Sequence, residues 1–114
     1  MHILIDRDAV CAGDDMSHHR EEFTVPDDIT IAGLLEFLEF KYLPMVAGND
    51  VVWALCHHDV EVGAYFTKNR SFINGSIPLS SIINNSETDT EFYLRYYSSP
   101  DRYRKHFINI ASLD

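Results

Sequence analysis

Glu91-Phe92-Tyr93-Leu94-Arg95-Tyr96-Tyr97 reads as a strand late in the chain, because strands favour aromatic residues and present side chains to two faces in alternation. Phe92, Leu94 and Tyr96 share one face; Tyr93, Arg95 and Tyr97 share the other. The chain opens on a comparable pattern over residues 2–11. Ile3, Ile5, Ala9 and Cys11 fall on one parity, and His2, Leu4, Asp6 and Asp8 on the other. Arg7 interrupts the apolar parity, so the strand is expected to bend or fray there.

Between these two strands the sequence supplies the rest of a small domain. Residues 12–18 carry turn chemistry, and residues 20–25 alternate again with Phe23 and Val25 inward, which completes a first hairpin. Pro26-Asp27-Asp28 ends it. Asp28 or Thr30 is positioned to cap a helix in which Ile31, Leu34, Leu35, Leu38 and Tyr42 recur at helical spacing. Phe37 and Phe40 widen that apolar stripe and predict a largely enclosed helix, stopped by Pro44. Residues 51–57 and 60–66 predict two strands joined by a turn at His58-Asp59, with Gly63 marking a bulge or a tight backbone approach. Phe72-Ile73 is a short further strand before the turn dipeptide Asn74-Gly75, and Leu79 to Ile83 a single helical turn. Ser99-Pro100-Asp101 starts a C-terminal amphipathic helix with Tyr103, Phe107, Ile110 and Ala111 on one side.

This order of elements resembles the ubiquitin-like β-grasp fold. Pro26-Asp27-Asp28-Ile29-Thr30-Ile31 resembles that family's approach to its single long helix. Ile77-Pro78-Leu79-Ser80-Ser81-Ile82 resembles the turn ahead of its last strand, and Glu91-Phe92-Tyr93-Leu94-Arg95-Tyr96 resembles the strand itself. The resemblance covers roughly residues 1–97. It implies an α+β fold in which the first and last strands lie parallel at the centre of a mixed sheet, with the long helix across one face. It divides the chain into a β-grasp domain (1–98) and a C-terminal helical extension packed on it (99–114). Two departures bear on function. Sulfur-carrier and ubiquitin-like members end in Gly-Gly, whereas this chain ends Ile110-Ala111-Ser112-Leu113-Asp114; iron–sulfur members need four cysteines, and this chain has Cys11 and Cys56. What the resemblance leaves is a protein-binding module, and no cofactor.

Composition agrees with one soluble globular domain. The 114 residues are 46% hydrophobic and 24% charged, enough to bury about two thirds of the unfolded surface without a disulfide or metal. The formal net charge is −9. A nucleic-acid or anionic-membrane ligand is disfavoured by that field, and a basic protein partner is favoured. The acid is concentrated early: residues 1–64 hold three basic and thirteen acidic residues, whereas residues 65–114 hold six and five. Two solvated faces would give the same asymmetry. No basic leader with a long apolar core opens the chain, and no apolar run approaches the ~18 residues of a membrane span, so the expected location is cytoplasmic. Cys11 and Cys56 sit in strand-like runs, where buried free thiols are the default; whether they are bonded is open.

Three constellations invite a chemical reading. His57-His58-Asp59-Val60-Glu61 holds good metal ligands, but consecutive strand residues face opposite ways, and a solvated hairpin tip is the simpler account of the set. Cys56 beside His57 lacks the geometry of an activated thiolate for the same reason. Asp6, Asp8, Asp14 and Asp15 do not follow calcium-loop spacing. The sheet face carrying Tyr93, Arg95 and Tyr97 is richer in interface residue types. The C-terminal helix either covers that face with Tyr103, Phe107 and Ile110, leaves it open, or forms the seam of a homodimer. The expected function is therefore non-enzymatic: binding another, basic protein, in the manner of an acidic inhibitor or immunity protein, through Asp14, Asp15, Glu21 and Glu22 together with Tyr93, Arg95 and Tyr97. The alternative is a metal-binding or enzymatic protein using His57, His58, Asp59 and Glu61.

Overall fold

The computed structural model of the protein describes residues 1–10, 19–44, 50–84 and 90–112, with side chains as far as His106. Its elements follow in the order β1 (His2–Arg7), β2 (Glu21–Thr24), α1 (Ile31–Lys41), β3 (Val52–His57), β4 (Val60–Phe66), β5 (Ser71–Ile73), a 3-10 turn (Leu79–Ser81), β6 (Glu91–Tyr97) and α2 (Pro100–Ser112). The strands form one six-stranded sheet ordered β2-β1-β6-β3-β4-β5. β1 and β6 run parallel at its middle, with Ile5 beside Phe92 and Arg7 beside Leu94, and the other neighbours are antiparallel. The architecture is mixed α+β.

One sheet face is closed by α1. Ile3, Ile5, Phe92, Leu94, Trp53, Leu55 and Tyr65 meet Ile31, Leu34, Leu35 and Leu38 in a continuous buried core. Burying each of these large side chains contributes about 1.5–3 kcal/mol, so this layer dominates stability. Phe92 and Leu94 thus lie on the helix side, as their parity predicts.

α1 begins at Thr30, not Asp28: the Thr30 hydroxyl accepts from the Gly33 N–H at 3.1 Å. It ends where the N–H groups of Tyr42 and Leu43 both reach the Leu38 carbonyl at 2.8 Å, since Pro44 bars helical geometry for Leu43. One expectation fails here. Phe40 does not extend the buried stripe; it is 80% exposed, while Phe37 is half-buried against Phe23. At 100° per residue Phe40 falls opposite Leu34, Leu35 and Leu38, so its exposure follows from the helix period. Nor is α1 the longer helix, at 11 residues against 13 in α2.

β1 is shorter than expected, stopping at Arg7. The Asp8 N–H still bonds the Leu94 carbonyl at 3.0 Å, but the Asp8 side chain then accepts from the Tyr96 N–H at 2.9 Å. A carboxylate has replaced the next main-chain acceptor, and the ladder ends. Arg7 itself keeps the inward parity of Ile3 and Ile5: it is buried, with its guanidinium 5.6 Å from the Tyr42 ring centre.

His58 and Asp59 form the two-residue turn between β3 and β4, with φ of 52° and 64°, the left-handed pair such turns require. Gly63 marks a close approach. A Cβ there would stand 2.7 Å from Ile31 Cγ2 and 2.9 Å from the Ile73 carbonyl oxygen. No helix among the described residues is long and apolar enough to cross a membrane.

Candidate functional site

The second sheet face carries Leu4 and Asp6 from β1, Tyr93, Arg95 and Tyr97 from β6, Val52, Ala54 and Cys56 from β3, and Glu61, Ala64 and Phe66 from β4, as the pairing registers require. α2 lies over one end of it. Tyr103 is buried against Val52, Ala54 and Ala64, and its ring meets the edges of Phe66 and Tyr97 at 5.4 and 5.2 Å. Asp101, Arg102, Arg104 and Lys105 stay exposed. The C-terminal helix therefore covers part of the face. Phe107 and Ile110 lie beyond the described side chains.

The polar groups on this face are engaged with one another. The Tyr103 hydroxyl donates to Glu61 Oε2 at 3.1 Å, and Arg95 Nη2 stands 3.9 Å from Asp59 Oδ1. Burial raises the Glu61 carboxyl above its ordinary value, against the opposing pull of Tyr103 and Arg95. The Tyr93 hydroxyl donates to Asp8, and burial together with that carboxylate pushes its ionisation well up. These contacts tie α2 to β4, β6 to the β3–β4 turn, and β6 to the residue after β1.

Cys56 is a buried free thiol whose pKa burial pushes up to about 11. At neutral pH it is therefore protonated, the opposite of an activated thiolate. His57 faces the α1 side, its ring tilted against Phe92 at 4.9 Å between centres, while Cys56 pairs with Glu61 on the α2 side. The β3–β4 pairing sets Glu61 beside Cys56 and so on the face opposite His57, and among the described residues no three His, Cys, Asp or Glu side chains are placed to hold an ion.

The acidic candidates separate. Asp14 and Asp15 lie outside the described residues. Glu21 and Glu22 are exposed on β2, the outermost strand on one side of the sheet among the described residues, and point to opposite faces. Glu22 shares its face with Tyr93, Arg95 and Tyr97; Glu21 turns toward the α1 side. Asp27 is exposed beside them, and its carboxyl is held low by the N-terminal ammonium 2.7 Å away. An open depression of about 710 Å³ is lined by Met1, His2, Glu22, Asp27, Ile83 and Thr90, among others. Ile83 and Thr90 flank residues 85–89, which are outside the described set.

Sequence reading missed two polar anchors. Asp8, assigned no partner from the sequence, is bound by the Tyr93 hydroxyl and the Tyr96 N–H. Glu39, on α1, accepts from Tyr65 Oη at 2.5 Å and Arg70 Nη1 at 2.9 Å, tying α1 to β4 and to the residue before β5. The Tyr65 hydroxyl is pushed up to about 12 by burial and by Glu39. Helical angle could have placed Glu39 beside the core stripe; nothing local announced its partners. No protein-family model matches the chain, and no curated protein or solved structure matches it.

Proposed function

We propose that the chain is a ubiquitin-like β-grasp protein working in the cytoplasm as a non-enzymatic binding module, an acidic inhibitor or immunity-type protein whose partner is a basic protein. The observation that carries this reading is the exposure of Glu21 and Glu22 on an edge strand of the sheet, with Asp27 and Asp28 exposed beyond it. The parallel pairing of β1 with β6 and the position of α1 support the fold assignment. The raised Cys56 thiol and the pairings within the covered face support the absence of covalent chemistry. A field of net charge −9 favours encounter with a basic surface and falls off with salt.

The test is affinity capture from source cells at 50 and 300 mM salt with the wild type and the double variant Glu21→Lys, Glu22→Lys. A basic protein held by the wild type at low salt, weakened at high salt and lost by the variant supports the proposal. Identical captured sets for both proteins at both salts overturn it.

A further inference from the structure

The main-chain hydrogen bonds of β1 fix which way the backbone of β2 points. Met1 and Val25 exchange both bonds, the Val25 N–H reaching Met1 O at 2.9 Å and the Met1 nitrogen reaching Val25 O at 2.6 Å. In an antiparallel ladder such doubly bonded pairs alternate with pairs that share no bond. Ile3–Phe23 and Ile5–Glu21 are then bonded pairs, and His2–Thr24 and Leu4–Glu22 are not. The β6 side agrees, because the Leu4 N–H turns away from β2 to bond Thr90 O at 2.9 Å. The N–H and C=O groups of Glu22 and Thr24 therefore point off the sheet edge. No further strand among the described residues pairs with that edge, and both residues are exposed.

Such an edge accepts another strand unless charge or shape prevents it. Here the charge selects. Glu21 and Glu22 set carboxylates on both faces of the edge, so a second copy paired through β2 would bring like charges together, which is destabilising. A strand bearing Lys or Arg meets the opposite situation. On the α1 side, Phe23 is half-buried with its ring 5.4 Å from Phe37 and 5.8 Å from Tyr42, an aromatic shelf beside the edge.

We infer that the free edge of β2 takes up an extended basic segment of a partner protein as a seventh strand, bonded to the main chain of Glu22 and Thr24. This rests on the binding role proposed above and specifies its mode. For an antiparallel strand the register dictates a motif: an apolar residue beside Phe23, then a basic residue beside Glu22, then another beside Glu21. Backbone bonds supply the attachment and alternate side chains the selectivity, as in other strand-addition complexes.

The probe is the synthetic peptide STVKRVTS, titrated into isotope-labelled full-length protein, with STVEEVTS as its charge-reversed control. In the free protein the amides of Glu22 and Thr24 exchange rapidly with solvent, and those of Glu21 and Phe23 slowly. Binding of STVKRVTS slows exchange at Glu22 and Thr24; STVEEVTS does not bind. Thr24→Pro removes an outward N–H, a placement edge strands tolerate, and keeps both carboxylates. It weakens the peptide about tenfold, the worth of roughly one hydrogen bond. Thr24→Val, which keeps the N–H, binds like the wild type. Protection appearing elsewhere, or no binding at millimolar peptide, overturns strand addition. Equal capture of the natural partner by Thr24→Pro and wild type, with loss by the Glu21→Lys, Glu22→Lys variant, overturns strand addition and leaves the protein-binding reading standing. Indifference of that partner to both variants overturns both.

Discussion

Replacing Gly63 by alanine tests how closely β4 is wedged between α1 and β5. The added methyl would meet Ile31 Cγ2 at 2.7 Å and the Ile73 carbonyl oxygen at 2.9 Å, against an ordinary separation of about 3.5–4.0 Å, so something must move by roughly 1 Å. Neither neighbour yields easily. Ile31 is fully buried at the start of α1, and Ile73 is paired with Ala64 in the β4–β5 ladder. Overpacking of this kind costs about 1–3 kcal/mol, while losing a strand glycine returns about 0.5–1 kcal/mol through the unfolded chain. Two contacts under 3.0 Å put the cost in the upper half of that range, so the net expectation is a loss of about 1–2.5 kcal/mol, read as a lower urea midpoint with an unchanged slope and a melting temperature lower by about 3–12 °C. Gly33→Ala is the internal control. Its methyl would meet only the Ile29 side chain at 3.2 Å and the Thr30 hydroxyl at 3.4 Å within α1, where alanine is favoured over glycine by about 1 kcal/mol. That variant should be unchanged or more stable. A Gly63→Ala protein as stable as the wild type, or a Gly33→Ala protein equally destabilised, would refute the close-approach argument.

Two further outcomes follow from the covered face. The Glu61 carboxyl is raised above 4.5 by burial, so just above that pH the folded protein holds its proton more readily than the unfolded chain; its contribution is fully present at lower pH and is lost as pH rises through the raised value. The melting temperature of the wild type relative to Glu61→Gln should accordingly improve as pH falls from 7 to 4.5, and a constant difference across that range would contradict this. In a Cys11→Ser background, Cys56 should resist a thiol-specific disulfide reagent at pH 8 and react fully in denaturant, since burial holds its pKa near about 11; rapid native labelling would show the thiol to be accessible.

Much of this fold is legible because its signals are local. The span of β6 follows from its own alternation, and Thr30, Pro44 and the His58-Asp59 turn act on neighbours a few residues away. The placement of Phe92 and Leu94 under α1, with Tyr93, Arg95 and Tyr97 opposite, follows from the same period of two. Phe40 was misjudged because hydrophobicity was given more weight than helical angle, and the angle governs. The engagement of Asp8 by β6 and of Glu39 by Tyr65 and Arg70 was hidden for a different reason: each depends on which distant strand arrives next to it, which no window of sequence contains. The same limit applies to the candidate edge. The acid at Glu21 and Glu22 is plain in the chain, and alternation alone sets the pair on opposite faces, but the outermost place of β2 in the sheet needed the strand order.

The parallel seam between β1 and β6 also sets a timetable. Asp8 and Tyr96, joined through a carboxylate, are 88 positions apart, so β1 leaves the ribosome long before its partner strand exists. Until then β1 offers an unsatisfied margin on the side that β6 will fill, and nascent chains halted before residue 91 lack the piece that closes the centre. Synthesis that stalls in that interval should leave a product prone to degradation or clumping, making completion of the last strand the step that commits the molecule to its native form.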